Sequence, residues 1–219
     1  MRVLIACEYS GATKDAFRER GHDAWSCDLD QEPEGRWPEC HLRGDVRQYL
    51  DMGWDMMIAH PPCTFLSSSG LHWNGRTEGR AAKTEGALAF VHLLMAAPIP
   101  RIAIENPIGC IGTRIRPADQ IVQPYDFGDD ASKATCLWLK GLSPLRPTTR
   151  VAGRMVTDPR TGKTVERWAN QTDAGQNRLA PSADRWKLRS TTYPGIAAAM
   201  ADQWGDPDAA LPLLAAMTA

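Results

Sequence analysis

Residues 2–11 read Arg-Val-Leu-Ile-Ala-Cys-Glu-Tyr-Ser-Gly. A short apolar run ends abruptly in an acid, an aromatic, a hydroxyl and a glycine. A strand buried on both faces has this uninterrupted character, and the Ser10-Gly11 turn after it lets the backbone approach a ligand closely. Outward from it the pattern repeats. Residues 12–20 are a predicted helix that Gly21 is placed to end. A second strand is predicted over 22–27, closed by Asp28-Leu-Asp30, and a third over 55–59, running into His60-Pro-Pro-Cys63. A helix with Ala, Leu, Val and Met on one face fits 80–96, and a strand over 101–104 runs into Glu105-Asn106-Pro107. A fifth strand over 136–139 and a last helix over 195–203 complete the set. Strands alternating with helices predict an α/β, doubly wound Rossmann-like sheet.

The chain has 219 residues, of which 43% are hydrophobic, enough for one compact core with a small appendage. Its formal net charge of −1 excludes a whole-molecule electrostatic attraction to nucleic acid or membrane. No apolar run approaches the roughly 20 residues of a membrane span, and residues 2–7 are too short for a signal peptide. Six cysteines at 7, 27, 40, 63, 110 and 136 form no CxxC pair, and no metal-ligating cluster is visible. They read as reduced thiols of an intracellular, cytoplasmic protein. The charge is unevenly placed: from Arg146 to Arg189 it sums to +6, against −7 for the remainder. This divides the chain into a core over 1–145, a small basic insert over 146–184 and a returning segment over 185–219. The insert reads either as a solvated surface or as a surface facing phosphates.

Unusual polar residues fall at the ends of successive strands: Glu8 to Gly11, Asp28, Asp45, Cys63 and Glu105. In open parallel sheets that edge is where ligands bind. Asp28 suits a carboxylate accepting from ribose hydroxyls, or a simple turn or helix cap, and Asp45 is open to the same two readings. Pro61-Pro62-Cys63 holds a thiol in a rigid loop next to His60, which suits an activated nucleophile as well as an idle cysteine. Glu105 follows a buried strand, where an ionised carboxylate is costly unless paired. Kept protonated, or shared with a substrate amine, it makes a general acid. A thiolate paired with such a Glu suits attack on an electron-poor aromatic ring.

These residues resemble the DNA cytosine-5 methyltransferase family. Val3 to Gly11, with Phe17 and Gly21, is similar to the family's first motif, with Tyr9 in the position of its Phe. Asp28 matches the acid that holds the cofactor ribose, and Gly44-Asp45-Val46 the segment at its adenine. Pro61-Pro62-Cys63 with Ser67 resembles the catalytic loop, and Glu105-Asn106 the Glu-Asn pair. Tyr125 to Gly128 and Tyr193 to Gly205 resemble later motifs. The departures are Ala59-His60 in place of Gly-Gly, Thr64 in place of Gln, and an arginine-rich motif reduced to Ala131-Ser-Lys133-Ala-Thr135. The target-recognition domain is nearly absent, with only the basic insert in its place.

The resemblance implies S-adenosyl-L-methionine as cofactor, held by Tyr9, Ser10, Gly11, Asp28, Asp45 and Pro61. It implies catalysis by Cys63, Glu105 and Asn106 on a cytosine flipped out of DNA, with short or relaxed sequence preference. Ser67, Lys133, Arg154, Arg167, Arg178 and Arg185 are the expected contacts to duplex or single-stranded DNA, and Trp168 and Trp186 are candidates to stack on bases. No metal, membrane or obligate protein partner is expected, and a virus- or mobile-element-encoded enzyme fits the short form. Two alternatives stay open: C5 modification of a free cytosine nucleotide, and a non-catalytic DNA-binding relative.

Overall fold

The computed structural model describes residues 1–30, 36–159, 161–182 and 185–206. The predicted residues of the returning segment beyond 206 lie outside these, as do Arg160, Asp184 and the side chain of Trp186. Seven strands form one sheet: β1 (Arg2–Ala6), β2 (Asp23–Asp28), β3 (His41–Arg43), β4 (Met56–Ala59), β5 (Arg101–Pro107), β6 (Gln120–Val122) and β7 (Thr135–Lys140). Their order is β3-β2-β1-β4-β5-β7-β6. Pairings are parallel through β5, whereas β7 runs antiparallel to both β5 and β6. β1 is central, and Val3 to Ala6 are fully buried, as its unbroken apolar run requires.

The two-residue period of the strands divides the core into two layers. On one face Leu4, Ala6, Met57, Ala59, Ile102 and Ile104 pack with Leu88, Val91 and Leu94 of α3 (Arg80–Met95). On the other, Val3, Ile5, Met56, Ile58 and Ala103 meet Phe17 of α1 (Ala12–Glu19) and Ile196, Met200 and Trp204 of α6 (Pro194–Gly205). Phe17 is fully buried at this junction, and truncating it to Ala costs about 3–5 kcal/mol. The remaining helices, α2 (Ser68–Leu71), α4 (Ile111–Arg114) and α5 (Arg185–Ser190), are short.

The strand predicted over 101–104 continues to Pro107, because β7 pairs with it along its whole length and Glu105 lies opposite Leu137. Glu105 and Asn106 therefore stand on a strand rather than in a loop, which fixes their directions. Within the basic insert β8 (Arg154–Thr157) and β9 (Thr164–Arg167) form a separate antiparallel hairpin. Trp168 anchors it. The indole is buried, stacks on Tyr125 with ring centres 3.9 Å apart, and donates from Nε1 to the Val151 carbonyl at 3.0 Å. The expectation that Trp168 stacks on bases is thereby corrected, since its face is already used to fasten the insert to the core.

Candidate active site

The C-terminal ends of β1, β2, β4 and β5 converge, and the site is built there. Gly11 takes φ 70 at the start of α1, a left-handed conformation that glycine adopts without penalty. Ser10 Oγ accepts from Ala12 N at 3.4 Å. Glu8 is buried, and its carboxylate accepts from Thr13 N at 2.6 Å and Lys14 N at 3.1 Å, closing two otherwise unpaired donors of α1. Burial pushes its carboxyl up from the ordinary range, against the lowering effect of His60 and those two backbone bonds. Cys7, just before it, has φ 58, rare outside glycine and a mark of strained backbone beside functional sites.

A pocket of about 310 Å³ opens at these ends, lined by Cys7, Cys27, Asp28, Leu29, Gly44, Asp45, Val46, Arg47, Pro62 and Phe90. Its volume lies at the lower end for small-molecule sites. Asp28 is half-buried; burial raises its carboxyl, and Oδ1 accepts from Asp30 N at 3.0 Å. Asp45 is held below the usual carboxylate range by Arg47, whose Nε lies 2.9 Å from both carboxylate oxygens. The lining combines the apolar side chains of Leu29, Val46, Pro62 and Phe90 with the Asp28 carboxylate and the Asp45–Arg47 ion pair. Asp28 and Asp45 thus line the predicted pocket. Its proline is Pro62 instead of Pro61, while Tyr9, Ser10 and Gly11 are set in the turn after β1 without lining it. Phe90, on α3, was not foreseen; its only signal is an aromatic on a helix face.

A larger cavity of about 390 Å³ lies over the other half of β5, against Met95, Ile102, Trp138, Arg116 and Lys140. Its cations are engaged: Arg116 pairs with Asp119 at 2.7 Å, and Lys140 Nζ donates to the Ala97 carbonyl at 3.1 Å. No convergent open polar group marks it as a site.

The register Ala59 opposite Ile104 sets His60 beside Glu105. His60 Nδ1 lies 3.0 Å from Glu105 Oε2, with both side chains largely buried. Burial opposes charge on both. Even so, the Glu105 carboxylate bound to its ring, with Glu8 nearby, carries His60 above its usual value. Burial is likewise outweighed at Glu105, where the His60 bond, the Lys133 and His60 charges and the Thr135 hydroxyl hold the carboxyl below its usual value. The bond to His60 and the nearby charges thus favour the carboxylate form of Glu105, against the protonated form that burial alone would give.

One residue on, the buried Asn106 donates from Nδ2 to the Pro61 carbonyl at 2.6 Å, fastening β5 to the Pro61-Pro62-Cys63 loop. The same loop is held by Ser67 N and Leu66 N, which donate to the Cys63 carbonyl at 2.9 and 3.0 Å, and by the Ser67–Gly109 bridge. A Cβ on Gly109 would lie 1.9 Å from the Leu66 carbonyl, so only glycine permits that approach. Cys63 is half-exposed at the start of a short 3₁₀ turn, Cys63–Phe65, directly after the pocket-lining Pro62. His60 Nε2 and Asn106 Oδ1 are among the buried polar atoms that find no partner among the described residues.

Of the expected DNA contacts, Ser67 is buried in the loop and shares a hydrogen bond with Ser69 at 3.2 Å. Lys133 donates from Nζ to the Arg189 carbonyl at 2.9 Å and acts by charge on Glu105. Arg154 bonds the Gln171 carbonyl and Asp173, each at 2.8 Å; Arg167 bonds the Asp173 carbonyl at 3.1 Å; Arg178 bonds the Gln171 carbonyl at 2.8 Å. These three staple the insert internally. Arg185, on α5, keeps its Nε buried without a partner among the described residues.

No protein-family model and no curated protein matches the chain. Among solved structures it is similar to a prophage-encoded E. coli protein assigned as a DNA modification methyltransferase, with 15% identity over 64% of this chain and 46% of that one, TM-score 0.42. It is similar to the Entamoeba histolytica methyltransferase EhMeth, with 15% identity over 69% of this chain and 58% of that one, TM-score 0.49. A third is the 16S rRNA methylase RmtB, with 19% identity over 64% of this chain and 55% of that one, TM-score 0.33. The chain spans about half the length of these proteins. By its own strand order, with β7 the one reversed strand of its main sheet, the chain has an α/β, Rossmann-like fold.

Proposed function

We propose that the chain is a DNA cytosine-5 methyltransferase, moving a methyl group from S-adenosylmethionine to C5 of cytosine through a covalent bond between Cys63 and C6. The observation that supports this reading is the bond by which Asn106, next to Glu105 on β5, ties that strand to the Pro61-Pro62-Cys63 loop. Asn106 bonds the Pro61 carbonyl, and Glu105 stands one residue earlier on the same strand. When bound, S-adenosylmethionine supplies an electrophilic methyl group, and Asp28, Asp45, Val46 and Phe90 are the residues that would hold its nucleoside.

Cytosine C5 is a poor nucleophile until electrons are pushed into the ring. The Cys63 thiolate does this by adding at C6. Glu105 faces the N3 edge and accepts from the exocyclic amine. Loss of the C5 proton and of Cys63 restores the ring. A base inside a duplex must be flipped out to reach Cys63, at a cost of a few kcal/mol.

The internal stapling of Arg154, Arg167 and Arg178 favours a second reading, in which the same chemistry acts on a free cytosine nucleotide. One assay separates the two: transfer from labelled S-adenosylmethionine to duplex DNA, single-stranded DNA and deoxycytidine monophosphate, with products digested and identified as nucleosides. The proposal expects 5-methyldeoxycytidine in polymer and none with Cys63→Ser. Label in the mononucleotide alone supports the second reading, and label on another base or position refutes both.

A further inference from the structure

Glu105 is bound to His60 and its carboxyl is held below its usual value, which favours the carboxylate, a form that accepts hydrogen bonds and has no proton to donate. The electron pair that enters a cytosine from Cys63 ends on N3, and N3 then requires a proton. The group placed to supply one is His60, 3.0 Å from Glu105 Oε2 and shut away from solvent with it. We propose that His60 is the proton reservoir of the site, passing its Nδ1 proton through the Glu105 carboxyl group to the ring nitrogen of the base; this rests on the methyl-transfer reading given above.

The balance closes on these groups. One proton leaves His60 Nδ1, crosses to Glu105, and reaches N3 after the carboxyl group turns. His60 ends neutral, Glu105 ends as the carboxylate it was, and N3 carries the proton that neutralises the arriving electron pair. Once C5 is alkylated, the N3–H proton returns by the same route before Cys63 leaves. His60 touches neither base nor cofactor in this scheme and acts through Glu105.

Two features set the pair apart from a packing contact. His60 Nε2 is buried with no partner among the described residues, whereas a histidine retained to join two strands ordinarily satisfies both nitrogens. The surrounding charges also suit a mobile proton. Glu8, from the turn after β1, and Glu105 favour the charged ring, while Lys133, ahead of β7, opposes it. Around Glu105 stand His60 and Lys133, with the Thr135 hydroxyl and the Cys136 thiol from β7. Two acids flank one histidine and favour its charged form, and an acceptor for its proton lies 3.0 Å away.

The test is the pH profile, from 6 to 10, of single-turnover methyl transfer to cytosine-containing DNA by the wild type and His60→Gln, read together with the ring carbon resonances of labelled histidine. His60 is assigned by its loss in His60→Gln. In the wild type the rate falls on the alkaline side as one proton leaves, and His60 titrates with the same midpoint, above 6.5. In Glu105→Gln that midpoint drops. In His60→Gln transfer is at least about tenfold slower at pH 8, its alkaline limb shifts to lower pH, and affinity for DNA and S-adenosylmethionine is unchanged. Turnover with the same limb in both proteins, or a His60 midpoint at or below 6.5, overturns the role of His60 alone. A wild type that transfers no methyl group refutes the functional reading itself. Should His60→Gln fail to fold, His60 is assigned as the one histidine whose midpoint drops in Glu105→Gln, and the agreement or disagreement of the wild-type limb with that midpoint decides.

Discussion

Asn106→Ala removes the bond on which the unity of the site depends, and its effects on stability and rate are separable. The deleted Nδ2 donates at 2.6 Å to the Pro61 carbonyl in a place where Asn106 is 1% exposed, so water cannot readily replace it. Leaving one buried acceptor unpaired costs about 1–3 kcal/mol. Asn106 Oδ1 is already unpaired, and deleting it relieves part of that cost. The net loss is then about 1–2 kcal/mol, which for a domain of this size lowers Tm by about 2–8 °C. The rate falls further. With the Pro61-Pro62-Cys63 loop untied from β5, a displacement near 1 Å between thiol and Glu105 is worth about 100-fold. Urea unfolding gives the first quantity and single-turnover methyl transfer at saturating substrates the second. A stability loss with an unchanged rate would show that Asn106 binds the loop without positioning Cys63, and no loss of either would refute the bond.

Asp28→Asn should weaken S-adenosylmethionine binding about 10- to 100-fold in calorimetry, because charged acceptors of buried hydroxyls are worth more than neutral ones; unchanged affinity would remove Asp28 from the ribose site. Replacing Arg154, Arg167 and Arg178 together by Ala should lower the slope of log affinity against log salt for duplex DNA by about 2–3 if they also reach phosphates. An unchanged slope would leave them as staples only. The His60–Glu105 pair also makes stability depend on pH. A histidine raised in the folded state stabilises fully below its unfolded value of 6.5 and loses that contribution as pH rises through the folded value. Wild type and His60→Gln should therefore differ more in urea midpoint at pH 6 than at pH 9, and a gap that widens with pH would contradict the charged state assigned to His60.

Buried parallel strands announce themselves as short unbroken apolar runs, so β1, β4 and most of β5 were legible, and with them the edge that carries the polar residues. β3 and β6 were not: three residues each, they have too little pattern to separate from loop. The reversal of β7 is also silent in sequence, because direction depends on which neighbours it joins. That reversal carries β5 through Glu105 and Asn106. Cys63 and Glu105 stand out by residue type and position, and Asn106 only through the resemblance, whereas the pairing of His60 with Glu105 required the β4–β5 register. From sequence His60 seemed a neighbour of Cys63, one position from the proline pair. In the fold it turns to the adjacent strand. The stretch from Arg146 to Arg189 sums to +6, but charge alone does not show that several arginines of the insert meet carbonyls and acids within it.

The central claim is a bond between Cys63 and a cytosine ring, and the direct measurement is to trap it. A DNA strand with 5-fluorocytosine at the target position, incubated with the protein and S-adenosylmethionine, loses the C5 proton that elimination requires, so the adduct should accumulate. Intact and peptide mass spectrometry is expected to find the methylated nucleotide attached at Cys63, with none in Cys63→Ser. An adduct at another residue, or methylation of unmodified DNA that persists undiminished in Cys63→Ser, would contradict the account.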